Sequence, residues 1–254
     1  MNLRQTEMAV KKLAENTYWI SEWGAFGLVK MYLLIGNERA LLIDSGYGKI
    51  DLKSIVARLT DKPVMLMLTH GHLDHASGSA PFDAYLHEND FDVYDRHSDP
   101  EFLKPYRKGK TIPKAHLNPL LPCTVDLGGR KVEVIHTPGH TRGSVCMIDK
   151  YSGMAFCGDT INPWDVWLGL DESTSVTEYR KSLIRLLQSV ERNGITKLHS
   201  GHSGKAMNMQ KLKNFITLCD KIISGEKTGR KVDKGICKGY KARYKTAAVI
   251  WRKR

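Results

Sequence analysis

Four side chains able to bind a metal fall within six residues, His70-Gly71-His72-Leu73-Asp74-His75. Imidazole nitrogen and carboxylate oxygen suit zinc and its borderline neighbours. A stretch this short cannot wrap four ligands around one tetrahedral ion, so the economical reading is two ions, both fed by one loop. The apolar run Val64-Met65-Leu66-Met67-Leu68 ends in Thr69 just ahead of it. Bounded by Pro63 and a Gly-containing turn, and short for a helix, that run predicts a buried strand delivering the histidines. The plain alternative is a polar surface loop with chance histidines, and the strand in front of it weighs against that.

Three more ligand-type residues also follow short apolar runs. His140 stands in Thr137-Pro138-Gly139-His140-Thr141 after a strand expected at residues 132–135, Asp159 in Gly158-Asp159-Thr160 after 154–157, and His202, with His199 beside it, in His199-Ser200-Gly201-His202-Ser203-Gly204 after 195–198. A further strand is expected at 145–148.

The elements that must position these residues alternate between strand and helix. Residues 18–20, 29–35 and 39–43 read as strands of an antiparallel opening sheet, with Gly36-Asn37 as a turn. Leu52, Ile55, Val56 and Leu59 give 50–59 a helical period, and a strand at 84–86 and a helix at 88–95 follow. Residues 97–122 hold five prolines and little periodicity, which predicts a long ordered excursion over the surface. Tyr179, Leu183, Leu186, Leu187 and Val190 form one stripe of a helix at 176–190, with Gly194 beyond its end. A helix at 207–223 and one late strand near 242–251 complete the chain.

The 254 residues, 41% of them hydrophobic, allow one large α/β domain or two small ones. Residues 1–20 include Lys11, Lys12, Glu7 and Glu15 and no apolar leader core, and no run approaches membrane-spanning length. Five cysteines, widely spaced and without a Cys-x-x-Cys pair, point to a reduced, cytoplasmic setting. The net charge of +12 is localised: residues 205–254 contain 15 Lys and Arg against Asp220, Glu226 and Asp233, while residues 1–204 balance at 24 of each sign. Such a segment attracts nucleic acid, an anionic cofactor tail or an acidic partner, or is a solvated face with a frayed end at Trp251-Arg252-Lys253-Arg254.

The ordered set His70-x-His72-x-Asp74-His75, His140, Asp159 and His202 resembles the metallo-β-lactamase-fold hydrolase superfamily over nearly the whole chain. The resemblance implies a single domain over 1–254, with 205–254 as its basic C-terminal segment. It also implies a four-layer αββα sandwich of two mixed β-sheets flanked by helices. His70, His72 and His140 would hold one divalent ion and Asp74, His75 and His202 a second. Asp159 and a hydroxide would bridge the two, the hydroxide acting as nucleophile beside Asp74. Zinc is expected, with iron and manganese as alternatives that an N/O donor set also accepts. Asp44, at a strand end, matches the acidic residue placed behind the histidine loop; capping the following turn is its plainer role. His87, His97, His116, His136 and His199 lie outside the pattern, and none is assigned a metal role.

The pattern falls closest to the carboxylate-bridged, glyoxalase II- and lactonase-like members. Asp159 stands where some lactamases carry cysteine, so Cys157 reads as a small buried residue. Asn162 replaces the tyrosine of lactonases, and Ile161-Asn162-Pro163-Trp164-Asp165-Val166-Trp167 lacks glutathione-binding residues. Trp23, Phe26, Asn162, Trp164 and Trp167 are the candidate substrate contacts, with core packing as the alternative for the aromatics. The expected activity is hydrolysis of an ester-like bond in a small molecule, a carboxylic ester, lactone or thioester, without nucleic-acid or membrane partners. A phosphodiesterase or nuclease, a β-lactam hydrolase and a metal-binding protein without turnover are the alternatives.

Overall fold

The computed structural model describes residues 9–107 and 111–253. The first eight residues of the expected leader-free N-terminus, and Arg254 of the basic tail, lie outside them. The chain divides into two compact units, Met1–Val132 and Glu133–Arg254.

Unit 1 runs β1 (Ala9–Ala14), β2 (Thr17–Gly24), β3 (Gly27–Ile35), β4 (Ala40–Ile43), α1 (Leu52–Ala57), β5 (Val64–Met67), α2 (Leu73–Ala76) and β6 (Asp83–Leu86). A 3-10 turn (Glu88–Asp90), α3 (Phe91–His97), α4 (Pro100–Arg107), β7 (Leu117–Pro119) and β8 (Cys123–Asp126) follow. Strands β1 to β7 form one sheet in sequence order. The first four pair antiparallel, as the opening pattern requires, and β4, β5, β6 and β7 pair parallel. Every residue of β4 is buried, as is usual for a strand covered on both faces. Helix α1 starts where Asp51 accepts the Ser54 N–H at 3.1 Å, and it buries Leu52, Ile55 and Val56 against that sheet.

Because β4 and β5 are parallel, with Ile43 opposite Met67, both chains leave the same edge of the sheet. Asp44 and the Thr69-His70 segment therefore emerge side by side. The histidine stretch is not all loop: Asp74 and His75 sit in the short helix α2.

Strand β9 (Lys131–His136) begins just before the boundary, and unit 2 continues with β10 (Val145–Asp149), β11 (Met154–Phe156), β12 (Asp165–Leu168), α5 (Val176–Arg192), β13 (Lys197–His199), α6 (Met209–Ile223), β14 (Arg230–Lys234), β15 (Cys237–Tyr244) and β16 (Ala247–Trp251). Strand β11 pairs antiparallel with β10 and parallel with β13, with Phe156 opposite His199. The segments carrying Asp159 and His202 thus leave a shared edge. Ser175 caps α5 by accepting the Glu178 N–H, and Tyr179, Leu183, Leu186 and Val190 of its stripe are fully buried with Phe215 and Leu218 of α6.

The α/β class with mixed sheets is as the resemblance implies, and four local expectations change. The proline-bearing stretch contains α4, which accommodates Pro105 inside its eight residues. Strand β12 lies within the segment after Asp159, pairing parallel with β16 about eighty residues later. The single late strand is an antiparallel set, β14-β15-β16, forming with β12 a four-stranded sheet. Trp251 is not part of a frayed end: it is 5% exposed and packs in the core of unit 2. No helix among the described residues is long and apolar enough to cross a membrane.

Candidate functional site

In unit 1 the residues of the motif are all buried, His70 at 1%, His72 at 7%, Asp74 at 6% and His75 at 0% exposure. The rings of His72 and His75 centre 4.6 and 4.2 Å from that of His70. Asp74 Oδ2 lies 3.8 Å from His75 Nε2. Concentrating three imidazoles and a carboxylate out of water is costly unless they are hydrogen-bonded or share a cation.

Asp44 supplies the hydrogen bonds. Its carboxylate accepts the Thr69 N–H at 2.7 Å, the Thr69 hydroxyl at 2.9 Å and His75 Nδ1–H at 2.7 Å. Since the Thr69 hydroxyl proton points at Asp44, its oxygen accepts from His70 Nδ1, 3.0 Å away. One carboxylate thereby fixes two rings, His75 directly and His70 through Thr69, in the tautomer that leaves Nε2 as a lone-pair donor. Asp44 occupies the left-handed region at φ +61°, which turns its side chain back toward the loop.

In unit 2, His140 Nδ1 donates to the Trp167 carbonyl at 2.8 Å, again leaving Nε2 as the donor. Asp159, placed by Gly158 at φ +46°, sends one oxygen, Oδ2, to within 3.7 Å of His140 Nε2 and 3.2 Å of His202 Nε2. Groups of three donor side chains whose ligand atoms lie within 4.8 Å of one another occur among the described residues.

The remaining histidines take other roles. His87 accepts the Asn89 N–H at the 3-10 turn, His136 contacts the Arg142 carbonyl and His116 is exposed. His199 stacks 5.7 Å from Phe156, and burial with the nearby Lys197 charge lowers its pKa to about 4, keeping it neutral. The Cys146 thiol beside Cys157, together with burial, holds Cys157 well above the usual thiol range. It is protonated and inert.

Two residues that act on the loop have no signal in the sequence. Asp90 Oδ2 accepts the Gly71 N–H at 3.0 Å and His97 Nδ1 accepts the Leu73 N–H at 3.3 Å. Both lie around twenty residues downstream, and only packing brings them in.

The candidate substrate residues divide. Trp23 and Trp164 are 52% and 63% exposed, free to contact a ligand. The hairpin tip bearing Trp23 and Phe26 is braced: Tyr47 Oη accepts the Phe26 N–H at 2.9 Å and donates to the Gly27 carbonyl, while Lys49 Nζ donates to the Trp23 carbonyl at 3.1 Å. Buried Glu22 holds that bracing segment through the Tyr47 and Ile50 N–H groups, and burial raises its pKa. Phe26 packs 5.2 Å from Tyr106. Trp167 packs on Leu170, Cys237, Ile250 and Val232, and Asn162, 7% exposed, accepts the Trp164 N–H at 3.2 Å.

Comparison with known proteins gives this arrangement a family. The model of the metallo-beta-lactamase superfamily matches residues 24–202. An acyl-coenzyme A thioesterase of Gallus gallus is 27% identical over 224 residues, covering 76% of this chain and 80% of that protein. An atrochrysone carboxyl ACP thioesterase of Aspergillus fumigatus is 27% identical over 188 residues, 70% of this chain and 52% of that protein. A metallo-beta-lactamase from Erythrobacter litoralis superposes with a TM-score of 0.64 at 18% identity, covering 86% of this chain and 99% of that one, a likeness of fold. The chain is a metallo-hydrolase and belongs to the metallo-beta-lactamase superfamily.

Proposed function

We propose that the protein is a binuclear metal-dependent thioesterase whose 254 residues serve as a single metallo-β-lactamase-like domain. His70, His72 and His140 would hold one ion, Asp74, His75 and His202 would hold the other, and Asp159 would serve both. The observation that carries this reading is the single Asp159 oxygen facing His140 Nε2 and His202 Nε2 at 3.7 and 3.2 Å. Two donors bound to a tetrahedral zinc at about 2.05 Å sit roughly 3.3 Å apart. A carboxylate at about that spacing from two imidazoles assigned to different ions would suit a ligand common to both.

The donor set fits such ions for a second reason. His70, His75 and His140 are each anchored at Nδ1 by an oxygen acceptor, which is how ligating imidazoles are commonly oriented. When bound, the ions supply a nucleophile from water at neutral pH and polarise the scissile carbonyl. Asp74 accepts a hydrogen bond from the attacking water and turns its lone pair toward that carbonyl. Trp23 and Phe26 give the acyl group an apolar wall, with Asn162, Trp164 and Trp167 beyond Asp159. Zinc suits the site best, and the five cysteines, none in a disulfide, accord with a cytoplasmic setting.

A thioester is favoured over an oxygen ester on chemical grounds. A thiol leaves as an anion of pKa about 8.5, so no strong side-chain acid is needed. The thioesterase relatives support the same choice. The basic sheet adds the other half of the substrate: Arg230, Lys231 and Arg243 are exposed on β14 and β15, and β12 of the same sheet carries the carbonyl that orients His140. That placement suits an acyl group carried on an anionic thiol such as coenzyme A.

A substrate panel tests the reading. Acyl-coenzyme A should be hydrolysed faster than a lactone, a β-lactam or bis(p-nitrophenyl) phosphate, and Asp74→Asn should remove most of that activity. Preference for the phosphodiester, or an unimpaired Asp74→Asn enzyme, would overturn it.

A further inference from the structure

The metal-binding loop is gripped from behind by the segment that follows it. His72 immediately precedes helix α2 as its N-cap, and its side chain makes no capping hydrogen bond. The two N–H groups flanking His72 are taken from outside instead, Gly71 N–H by Asp90 Oδ2 at 3.0 Å and Leu73 N–H by His97 Nδ1 at 3.3 Å. The His97 ring also lies against the His72 ring, 4.6 Å between centroids and 21° from parallel, and is backed by Phe102 at 4.3 Å. Asp90 is 0% exposed and His97 6%. The approach is close enough to exclude a side chain at residue 71. A Cβ on Gly71 would meet the Asp90 carbonyl oxygen at 2.8 Å and the Tyr94 nitrogen at 2.9 Å.

We propose that Asp90 and His97 are positioning residues for the metal ligand His72: the two hydrogen bonds pin the backbone on either side of it, and the stacked His97 ring sets the plane in which its imidazole meets the ion. This rests on the metal-binding reading above. Backbone pinning does not by itself fix the plane of the His72 ring, and a flat neighbour stacked within 21° limits its turning about the side-chain bonds. Holding a ligand in its bound orientation before the ion arrives removes ordering entropy from the binding step. Partners of this kind typically change metal affinity by about 10–100-fold.

His97 makes two separable contributions, so two substitutions divide them. His97→Asn keeps an acceptor near the Nδ1 position and loses the ring. His97→Phe keeps the ring and loses the acceptor, and His97→Ala loses both. Zinc affinity is measured by competition with a chromophoric chelator, and ligand geometry by the visible bands of the cobalt(II)-substituted protein. His97→Ala should weaken one of two binding steps by about 10–100-fold and alter the cobalt bands, with Asn and Phe each recovering part of the loss. An Ala variant that is folded and binds both ions within twofold of wild type, with unchanged cobalt bands, would overturn the proposal. If Ala does not fold, as judged by circular dichroism of the metal-free protein, the volume-conserving Phe variant decides. Weakened affinity with altered bands supports the role, and wild-type values overturn it. A wild-type protein that takes up no ion would overturn the metal reading itself, an outcome distinct from wild-type binding by the variants.

Discussion

Replacing Asp44 by Asn isolates the chemistry of the hydrogen-bond hub while leaving the backbone undisturbed. Asn tolerates the φ of +61° that residue 44 adopts, and it is almost isosteric with Asp. In the native protein the Asp44 carboxylate is acceptor to three donors, at 2.7, 2.9 and 2.7 Å. An amide has one acceptor oxygen, which can keep the Thr69 N–H. Its NH2 group then faces the Thr69 hydroxyl and His75 Nδ1. Two N–H donors cannot point at each other, so His75 must move its proton to Nε2, the atom needed by the ion. Losing one charge-assisted hydrogen bond in a site 1% exposed costs about 1.5–3 kcal/mol. Metal affinity should fall by about 10–100-fold, equivalent to roughly 1.4–2.8 kcal/mol. Chelator competition reads the affinity, and thermal unfolding of the metal-free protein reads the stability. An Asp44→Asn protein that binds zinc within twofold of wild type would refute the claim that this carboxylate sets the tautomer of His75.

Other perturbations have equally definite signs. On the proposed reading, in which Trp23 walls the acyl group, losing about 50 Å² of apolar burial costs roughly 1.3 kcal/mol, so Trp23→Ala should raise KM close to tenfold while kcat changes less; unchanged steady-state kinetics would remove the hairpin from the substrate site. Trp251→Ala empties a buried position of the C-terminal sheet and should destabilise unit 2 by about 3–5 kcal/mol in urea unfolding, whereas a frayed end would show almost nothing. Burial, with the charge of Lys11, lowers the pKa of Lys30 to about 8, while the unfolded chain keeps the ordinary lysine value of 10.5. Between those values the unfolded state binds more protons, so stability should rise with pH from 8 to 10.5. Lys30→Met should abolish that part of the pH profile of the thermal midpoint, and a profile identical to wild type would show that Lys30 is not held in this way.

The ligand stretch was legible because four donor residues in six positions leave few bland explanations, and because β4, β5 and β11 are wholly apolar runs that stop where polar residues begin. The antiparallel start and the stripe of α5 follow from local pattern alone. What stayed hidden has physical reasons. Strand β14, Arg-Lys-Val-Asp-Lys, has four of its five side chains exposed and so carries no alternation to detect. Strand β12 is ordered by a parallel partner, β16, that comes about eighty residues later. Helix α4 keeps Pro105 within it, which the expectation that proline interrupts helices obscured. His97 was set aside because ligand spacing is a local property, whereas a ring stacked behind a ligand is placed by tertiary packing. The histidine loop marked out metal chemistry; the choice of thioester comes from the relatives and from the basic sheet that follows the matched region.

The central claim is that two ions drive thioester hydrolysis, and a metal titration measures it directly. The chelated, metal-free protein is titrated with zinc while thiol release from an acyl-coenzyme A is followed. The account predicts negligible activity in the metal-free protein, a rise on adding zinc and a plateau at two equivalents per chain, with Asp159→Ala failing to reach that plateau. Full activity in the metal-free protein, or a protein holding two zinc ions that releases no thiol, would contradict it.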